Sequence, residues 1–538
     1  MKTMTVIEAD LDVGAQGLRS LLSADIAGEP VLRRTVSRAT AATLPEGCVV
    51  LVRSPEAQRT VASMLEGLPA EVRVDPGEDV PQRAILRASR RWARNSLRGG
   101  IGGTTAFDEE DTPARMLALA RDTACDALVK IPAAGALIDP GTIDGLLRWV
   151  VEEGASLEFY FANLPPGLTC ALYSVSVLEK LVAERTTIYQ ALIYHAGRDE
   201  RDPTEGKACY PGDDFLRMTP WRLSADSPRT LERLRAVYHD DTTEAVRRLK
   251  NSPEVWAGRL PEEVEIEIAG APDESDPYAA LAGAVEMTEL MDVQAFTAAL
   301  PELGAAGDVN LTLGGLGDPL AHPGVFEFIA AARGAGVCGL HLATSGRWLD
   351  EDKVDRLAEA DLDVVSVRLW GNTPETWKRQ TGRDDFDRVT RLVEELIRRR
   401  RDRGRSLPCV IVEMMKTVES VGEVEGFFDR WHGVADGSVI RGYNNFAGQI
   451  ADRDVLHPYP GVRFPCVQLF RRMTVTAKGD ARVCGQDIRG KRILGNVFEQ
   501  GFERIWHGAD LERMRAGHVA GDYDVFDLCP TCRHWYQL

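Results

Sequence analysis

Apolar runs of strand length alternate with segments of helical periodicity along residues 1–245. Residues 48–52 (CVVLV) form one such run, and a segment of helical periodicity follows it at 54–65. Strands that alternate with helices are typical of a parallel sheet with helices packed on its faces. The pattern predicts an α/β sandwich domain over 1–245, and its interruption around Pro253 predicts a linker over 246–261.

The alternation starts again at residue 264. The predicted strands lie at 264–268, 309–313, 339–343, 364–367 and 409–412, and the predicted helices at 325–333, 351–358 and 386–400. A repeated strand–helix unit of this kind is typical of an α/β barrel. We therefore predict a partial (β/α) barrel over 262–450. Near Pro465 the pattern changes to a hairpin-like piece and a short helix, which indicates a small α+β domain over 451–538.

Composition and charge are those of a soluble globular protein. The chain has 538 residues, of which 44% are hydrophobic and 27% are charged, close to the average for folded proteins. Its 82 acidic and 64 basic residues give a formal charge of −18, which disfavours broad binding to nucleic acids and anionic membranes. The sequence shows neither a signal-peptide core nor an apolar run long enough to span a bilayer. We therefore expect a cytoplasmic protein without a membrane or nucleic-acid partner.

Four of the ten cysteines lie in the last 73 residues, where Cys529 and Cys532 form a Cys-x-x-Cys motif and Cys466 and Cys484 stand alone. A Cys-x-x-Cys turn supplies two thiolates, and two remote cysteines can complete a four-sulfur site for an iron–sulfur cluster or a structural zinc ion. Zinc ribbons usually present two such turns, so the spacing favours an iron–sulfur cluster and leaves zinc as the alternative. The other cysteines are predicted to be packing residues: Cys48, Cys125, Cys170, Cys209, Cys338 and Cys409.

The strongest charge run is 397–405 (IRRRRDRGR), at the end of the predicted helix 386–400. Cations at a helix C-terminus complement the helix dipole, and glycine at position 404 is typical of a residue that ends a helix. We predict a solvent-exposed helix end here, with a phosphate-binding patch as the alternative.

Short motifs surround the C-terminal cysteines, at 464–469 (FPCVQL), 475–484 (VTAKGDARVC), 495–497, 505–506 and 529–532 (CPTC). Together they resemble the SPASM and shorter twitch extensions of radical S-adenosylmethionine (radical SAM) enzymes. In that family, cysteines at similar spacing hold an auxiliary [4Fe-4S] cluster. The resemblance implies one such cluster here, held by Cys466, Cys484, Cys529 and Cys532.

The predicted barrel carries changed versions of two further motifs of the radical SAM family. Gly315, Gly317, Asp318 and Pro319 resemble the GGEP region, and Ser345 lies in a segment that resembles the TNG strand end. In the family, this region contacts the amino group of S-adenosylmethionine. The resemblance implies a residual cofactor site of this type at these five residues.

The CxxxCxxC motif that opens radical SAM barrels does not occur in this sequence. Pro272, Asp276 and Ala279 stand at the positions where its three cysteines are expected. Reductive cleavage of the sulfonium needs an electron from the iron that chelates the cofactor. We therefore expect neither a radical-generating cluster nor S-adenosylmethionine as a regular cofactor.

Residues 20–38, with Gly28-Glu29-Pro30, and residues 126–140 resemble the cytidylyltransferase branch of sugar nucleotidyltransferases. Ala134 stands near the metal-binding aspartate of that family, so the resemblance implies the fold without its transfer chemistry. The order of the three regions resembles the spiro-SPASM family over nearly the whole chain.

Taken together, the sequence predicts an iron–sulfur protein of radical SAM/SPASM type with one auxiliary [4Fe-4S] cluster. We expect a redox or accessory binding protein that does not cleave S-adenosylmethionine, with a small molecule or a protein as its partner. The alternative is an active enzyme, either a radical SAM-type oxidoreductase or maturase with atypical cluster ligation or a sugar nucleotidyltransferase.

Overall fold

The computed structural model describes residues 1–75, 83–92, 98–99, 104–105, 113–153, 159–184, 209–270, 277–278, 290–455 and 460–536. Within these ranges the chain forms two compact units, Met1–Trp256 and Ala257–Leu538. Among the described residues, no helix is both long enough and apolar enough to cross a membrane.

The first unit contains a seven-stranded mixed sheet and two small ribbons. Its strands are β1 (Thr3–Glu8), β2 (Asp25–Ile26), β3 (Glu29–Pro30), β4 (Cys48–Val52), β5 (Ala70–Val74), β6 (Arg98–Gly99), β7 (Thr104–Thr105), β8 (Ala127–Lys130), β9 (Phe159–Ala162), β10 (Ala171–Ser174) and β11 (Cys209–Tyr210). The sheet has the order β11-β9-β10-β8-β1-β4-β5. β1 pairs in parallel with both β4 and β8, while β10 runs antiparallel to β8 and β9.

The helices of this unit are α1 (Val31–Ala41), α2 (Pro55–Met64), α3 (Arg83–Arg91), α4 (Pro113–Asp122), α5 (Pro140–Glu153), α6 (Val175–Glu184), α7 (Asp214–Arg217), α8 (Pro228–Val237) and α9 (Thr242–Asn251). All five residues of β4 are buried, as expected for a parallel strand covered on both faces. The prediction of an α/β fold is confirmed here, and α2 begins as its sequence suggests, because Ser54 accepts a hydrogen bond from the Ala57 backbone and Pro55 follows it.

The second unit contains a nine-stranded sheet. Its strands are β12 (Glu263–Ile266), β13 (Asn310–Leu313), β14 (Gly339–Thr344), β15 (Val364–Leu369), β16 (Cys409–Lys416), β17 (Gly437–Gly442), β18 (Arg472–Val475), β19 (Asp480–Arg482) and β20 (Ile493–Asn496). Strands β12 to β17 are neighbours in sequence order and all pair in parallel. This is the arrangement predicted for a partial barrel.

Strands from the C-terminal segment extend the same sheet. β18 pairs in parallel with β12, and β19 and β20 continue from it in antiparallel pairing. The segment predicted as a small domain over 451–538 therefore adds three strands beside the first strand of the barrel. The division of the chain into domains at 245, 261 and 450 stays a prediction.

The helices of the second unit are α10 (Val293–Ala306), α11 (Val325–Gly334), α12 (Glu351–Glu359), α13 (Pro374–Thr381), α14 (Phe386–Asp402), α15 (Val424–His432), α16 (Gln468–Arg471), α17 (Val497–Gln500), α18 (Phe502–Trp506) and α19 (Ala509–Val519). Helices α11, α12 and α14 lie within two residues of their predicted bounds. Capping residues explain several ends: Asp350 accepts a hydrogen bond from the Lys353 backbone at the start of α12, and Gly382 adopts a left-handed conformation after α13.

The arginine run at the end of α14 is only partly exposed, which corrects the predicted solvent-exposed helix end. Arg400 is 2% exposed and forms an ion pair with the buried carboxylate of Asp436. Its guanidinium also donates hydrogen bonds to the backbone oxygens of Pro408 and Ser406. Arg398, two residues earlier, is 57% exposed and pairs with Glu395 and Asp402 on the surface.

Candidate functional site

The four C-terminal cysteines come from three places in the second unit. Cys466 lies just before α16, Cys484 lies just after β19, and Cys529 and Cys532 lie in a turn that follows α19. In that turn the Cys532 backbone N–H donates to the Cys529 carbonyl at 3.3 Å. The segment that ends at residue 536 returns to Cys466, because the Val467 N–H donates to the Trp535 carbonyl at 3.3 Å.

The structure brings the four thiols close together. Burial raises the pKa of Cys466 and of Cys529 to about 12, and it also raises the pKa values of Cys484 and Cys532. Electrostatic interactions between thiols add to the shifts, and each of the six pairs among the four cysteines contributes such an interaction. Each thiol disfavours ionisation of its neighbours. A bound metal centre would have to hold all four cysteines in the thiolate form.

Backbone N–H groups surround these sulfurs. The His534 N–H donates to Cys532 Sγ at 3.3 Å. Similar bonds from the backbone after Cys466 and after Cys484 favour the thiolate and oppose the rise in the pKa of each. Hydrogen bonds to cluster sulfurs are one of the ways in which proteins tune iron–sulfur centres. The donor set of four thiols with backbone N–H groups directed at three of them fits a [4Fe-4S] cluster.

One cation lies beside the thiols. The Arg463 guanidinium donates to the Cys529 carbonyl at 2.7 Å, and its charge opposes the rise in the pKa of Cys529 and Cys532. Within the described residues, no three His, Cys, Asp or Glu side chains are arranged to hold a single metal ion. The four thiols therefore lie near one another but are not arranged to bind one common metal ion.

The residues predicted for an S-adenosylmethionine-type site lie together at the ends of β13 and β14. Asp318 is buried, and its carboxylate accepts hydrogen bonds from the Thr344 hydroxyl at 2.8 Å and from the Ser345 hydroxyl at 2.7 Å. It also accepts from the backbone N–H groups of Ser345 at 2.9 Å and Leu320 at 3.0 Å. Pro319 begins the 3-10 turn that Asp318 caps, and Gly317 is buried before it. These bonds tie the loop after β13 to the end of β14.

Gly315 lies against the carboxylate of Glu267. Its φ is +128°, and a Cβ at this position would lie 2.3 Å from Glu267 Cγ. The next N–H, that of Leu316, donates to Glu267 Oε1 at 3.1 Å. The glycine is therefore needed for the close approach of the loop to Glu267.

One face of the nine-stranded sheet carries many polar side chains among apolar ones, although most parallel sheets are apolar on both faces. The registers between neighbouring strands show that these polar side chains point to the same face of the sheet. Two ion pairs join neighbouring strands, Glu263–Arg472 and Glu413–Arg441. A third, Glu267–Arg482, joins the residue after β12 to β19, on the far side of β18. We call this surface the polar face; its residues are Glu263, Glu265, Glu267, Thr312, His341, Ser366, Arg368, Glu413, Arg441, Arg472, Thr474 and Arg482.

Burial shifts the pKa values of two groups on the polar face in the direction that favours their neutral forms. Burial lowers the pKa of His341 to about 4, and its ring lies 2.8 Å from the Ser366 hydroxyl and 3.3 Å from that of Thr312. Burial is the main cause that raises the pKa of Glu265, and the carboxylates of Glu263 and Glu267 add to it. Displaced pKa values of buried acids and bases are typical of binding and catalytic sites.

An aromatic cluster lies beyond the carboxyl ends of β15 and β17. The Tyr278 ring lies 5.0 Å from Trp370, 5.2 Å from Tyr443 and 5.1 Å from Phe446, measured between centroids. The Arg368 guanidinium of the polar face lies 5.7 Å from the Tyr278 ring. Barrel proteins bind their ligands at this end of the strands. The cluster and the polar face thus bring aromatic and charged side chains together at this end of the strands.

Replacing Glu265 by Gln is expected to stabilise the protein at neutral pH. The pKa of Glu265 in the folded protein is raised above the ordinary value of 4.5, so this carboxyl group ionises more easily in the unfolded chain. The free energy of unfolding therefore falls as the pH rises through the folded pKa. The free energy of unfolding is measured by chemical unfolding of the variant and the unchanged protein between about pH 4 and pH 8. The two proteins should be equally stable at the acid end, and the Glu265→Gln variant should be more stable at the neutral end.

The matched control is Glu263→Gln on the same strand. Burial opposes ionisation of Glu263, but the charges of Arg472 and Arg471 outweigh it and lower its pKa. That variant should lose stability at neutral pH, so the two effects have opposite signs. If the two substitutions changed the free energy of unfolding equally at all pH values, the opposite pKa shifts of Glu263 and Glu265 would be contradicted.

Glu265 and Glu267 lie on the strand predicted at 264–268, but they were not predicted to belong to a site. The signal that could have found them is the alternation EVEIEI, which places three glutamates on one face of a strand in a predicted barrel. Pro272, Asp276 and Ala279, at the expected positions of the missing motif, lie outside the described residues.

Two family models match the second unit. Residues 282–430 match the radical SAM superfamily, and residues 466–533 match SPASM, an iron-sulfur cluster-binding domain. The chain thus carries a radical SAM superfamily region followed by an SPASM region. The SPASM match includes all four C-terminal cysteines.

Three curated relatives show which proteins this chain is similar to. An uncharacterised protein of Treponema pallidum is 29% identical over 127 residues, covering 23% of this chain and 33% of the relative. A GTP 3',8-cyclase of Chlorobaculum tepidum is 28% identical over 141 residues (26% and 42%). A PqqA peptide cyclase of Ruegeria pomeroyi is 30% identical over 126 residues (23% and 32%). The chain spans about a third to two fifths of the length of the curated relatives it matches.

Solved structures are similar at low identity. Streptococcus suis SuiB bound to precursor peptide SuiA has 12% identity and a TM-score of 0.41, covering 63% of this chain and 79% of SuiB. A cytidylyltransferase from Leptospira borgpetersenii has 15% identity and a TM-score of 0.34, covering 47% of this chain and 96% of that protein.

Proposed function

We propose that this chain is an iron–sulfur protein of the spiro-SPASM type that holds one auxiliary [4Fe-4S] cluster and works as a redox or accessory binding protein. Cys466, Cys484, Cys529 and Cys532 are the proposed ligands. When bound, the cluster supplies one-electron redox chemistry at the C-terminal segment. The partner is a small molecule or a protein, and for a small molecule the proposed place is the polar face with the aromatic cluster.

The observation that carries this proposal is the distribution of the ten cysteines. Six of them are buried at scattered positions, whereas the remaining four belong to the C-terminal segment and interact electrostatically with one another. The sequence has no CxxxCxxC motif. The chain therefore has ligands for one four-cysteine cluster and lacks the usual ligand set for a radical-generating cluster.

The hydrogen bonds of Asp318 support a role without S-adenosylmethionine cleavage. Its carboxylate is already engaged by Thr344, Ser345 and the backbone of Leu320. An ammonium group of a bound cofactor would have to compete with these buried bonds, and breaking them costs free energy. Asp318 therefore acts as a loop anchor in this proposal.

Metal analysis of the anaerobically purified protein tests the cluster. We expect about four iron and four sulfide per chain, with visible sulfur-to-iron charge-transfer absorption that disappears on chelation. Stoichiometric zinc without iron would contradict the proposal, because four thiolates also suit a structural zinc ion.

A second assay tests the accessory role. The reduced protein, loaded with iron and sulfide, is incubated with S-adenosylmethionine, and we expect no 5′-deoxyadenosine above the level without protein. Release of 5′-deoxyadenosine would instead support a radical SAM enzyme with atypical cluster ligation. Pyrophosphate release from CTP and a sugar acid would support the nucleotidyltransferase alternative.

A further inference from the structure

Arg463 is a cation without a carboxylate partner beside the four C-terminal cysteines. Within the described residues its guanidinium forms no ion pair with Asp or Glu, although Arg471, Arg482 and Arg533 of the same segment each form one. Arg463 is partly buried, and its Nε atom is buried without a hydrogen-bond partner. Burial of an unpaired charge costs free energy, so an anionic group close to Arg463 would stabilise this arrangement.

Two aromatic rings and one carbonyl fix the position of this guanidinium. Arg463 Cζ lies 4.1 Å from the centroid of the Tyr523 ring and 5.8 Å from that of the Trp535 ring. The Tyr523 ring is itself in edge contact with the His518 ring at 5.1 Å. Arg463 Nη2 donates to the Cys529 carbonyl at 2.7 Å. Contacts of this kind orient a guanidinium but do not neutralise its charge.

The charge of Arg463 reaches the thiols of the Cys-x-x-Cys turn. It favours ionisation of both Cys529 and Cys532 and so opposes the rise in their pKa values that burial causes. The carboxylate of Asp527 acts on Cys529 in the opposite direction, but it is paired with Lys491 at 2.7 Å. A fixed and unpaired positive charge therefore faces this side of the four cysteines.

We infer that Arg463 raises the reduction potential of the [4Fe-4S] cluster, an inference that rests on the proposed function. A cluster held by four thiolates is anionic, and it gains one further negative charge when it takes up an electron from a one-electron reductant. A positive charge beside the cluster stabilises the more negative, reduced form more strongly than the oxidised form. Net charge and hydrogen bonds around a cluster are among the properties that set its potential. Arg463 tunes the cluster in this way and is not one of its ligands.

The reduction potential of Arg463→Gln, compared with that of the unchanged protein, tests this inference. Both proteins are purified anaerobically with their clusters, and their iron and sulfide are measured. They are then titrated with dithionite in the presence of redox dyes, and the reduced cluster is followed by electron paramagnetic resonance. Glutamine removes the charge and keeps an amide donor. At a fixed solution potential, the ratio of reduced to oxidised cluster should fall about tenfold, which is about 59 mV for a one-electron couple.

Two further variants separate the charge of Arg463 from other effects. Arg463→Lys keeps a positive charge and should change the ratio by less than about threefold. The matched control is Arg533→Gln. Arg533 directly follows Cys532 but is 49% exposed and paired with Asp452 at 3.0 Å, so its charge is screened. This control should change the ratio by less than about twofold.

The possible results distinguish this inference from the proposed function. If the unchanged protein holds no iron–sulfur cluster, both are contradicted. If the cluster is present and Arg463→Gln shifts its potential no more than Arg533→Gln does, only the role of Arg463 is overturned. Loss of iron from Arg463→Gln would overturn that role as well, because Arg463 would then hold the cluster rather than tune it.

Circular dichroism shows whether each variant is folded. If Arg463→Gln does not fold, Arg463→Lys decides between the outcomes. A ratio near that of the unchanged protein supports the role of the charge, whereas a tenfold fall in this variant would show that the charge does not set the potential.

Discussion

Replacing Cys484 by Ser is expected to reduce the iron and sulfide content of the protein at least about tenfold. Cys484 interacts electrostatically with each of the other three cysteines, and serine is a poor replacement for the soft thiolate that iron–sulfur clusters require. Cys529→Ser should have the same effect because it removes one thiolate of the Cys-x-x-Cys turn. Iron, sulfide and visible absorption are measured on proteins purified anaerobically side by side.

The matched control is Cys338→Ser in the same unit. Cys338 is buried at the start of β14 and does not belong to the group of four. This variant should keep its full iron content even if its stability falls slightly. Equal iron in the Cys484, Cys529 and Cys338 variants would contradict the assignment of the ligands.

Replacing Arg400 by Met is expected to lower the free energy of unfolding by about 3–5 kcal/mol, the range for breaking a buried ion pair. Asp436 would remain buried without its guanidinium partner, although it would keep the hydrogen bond from the Val410 backbone at 2.7 Å. The backbone oxygens of Pro408 and Ser406 would lose donors as well. Unfolding in guanidinium chloride, measured on the variant and on the unchanged protein, gives the loss in the free energy of unfolding.

Arg398→Met on the same helix is the control. Arg398 is 57% exposed, so removing its surface ion pairs should change the free energy of unfolding by no more than about 1 kcal/mol. In an Arg400→Met, Asp436→Asn double variant, the loss should be smaller than the sum of the two single losses, because the two groups interact. Similar losses for Arg398→Met and Arg400→Met would show that Arg400 is not the buried member of the run.

The barrel could be predicted because its signal is local and repeated. Each apolar strand and each amphipathic helix of 262–450 has its own periodicity, and neighbours in sequence became neighbours in the sheet. The pairing of β18 with β12 could not be predicted in this way. It joins residues about 200 positions apart, and no local pattern specifies which edge of a sheet a distant strand will extend.

The polar face shows the same limit for the candidate site. Periodicity places Glu263, Glu265 and Glu267 on one side of β12. It does not reveal that Arg472 and Arg482 arrive from later strands to pair with two of them, while Glu265 is left with a raised pKa. Charge pairing across strands depends on register between distant segments, so the acid–base properties of this face appear only in the folded chain.

The α/β character of the chain, the alternation of its barrel and the set of four cysteines can be predicted from the amino-acid sequence, because propensity, periodicity and ligand spacing are local. The folded chain is needed to see that Arg400 rather than Arg398 is buried and that the four thiols are neighbours. Burial and electrostatic proximity arise from contacts between residues far apart in the chain, and these contacts set the charge and binding properties of each site.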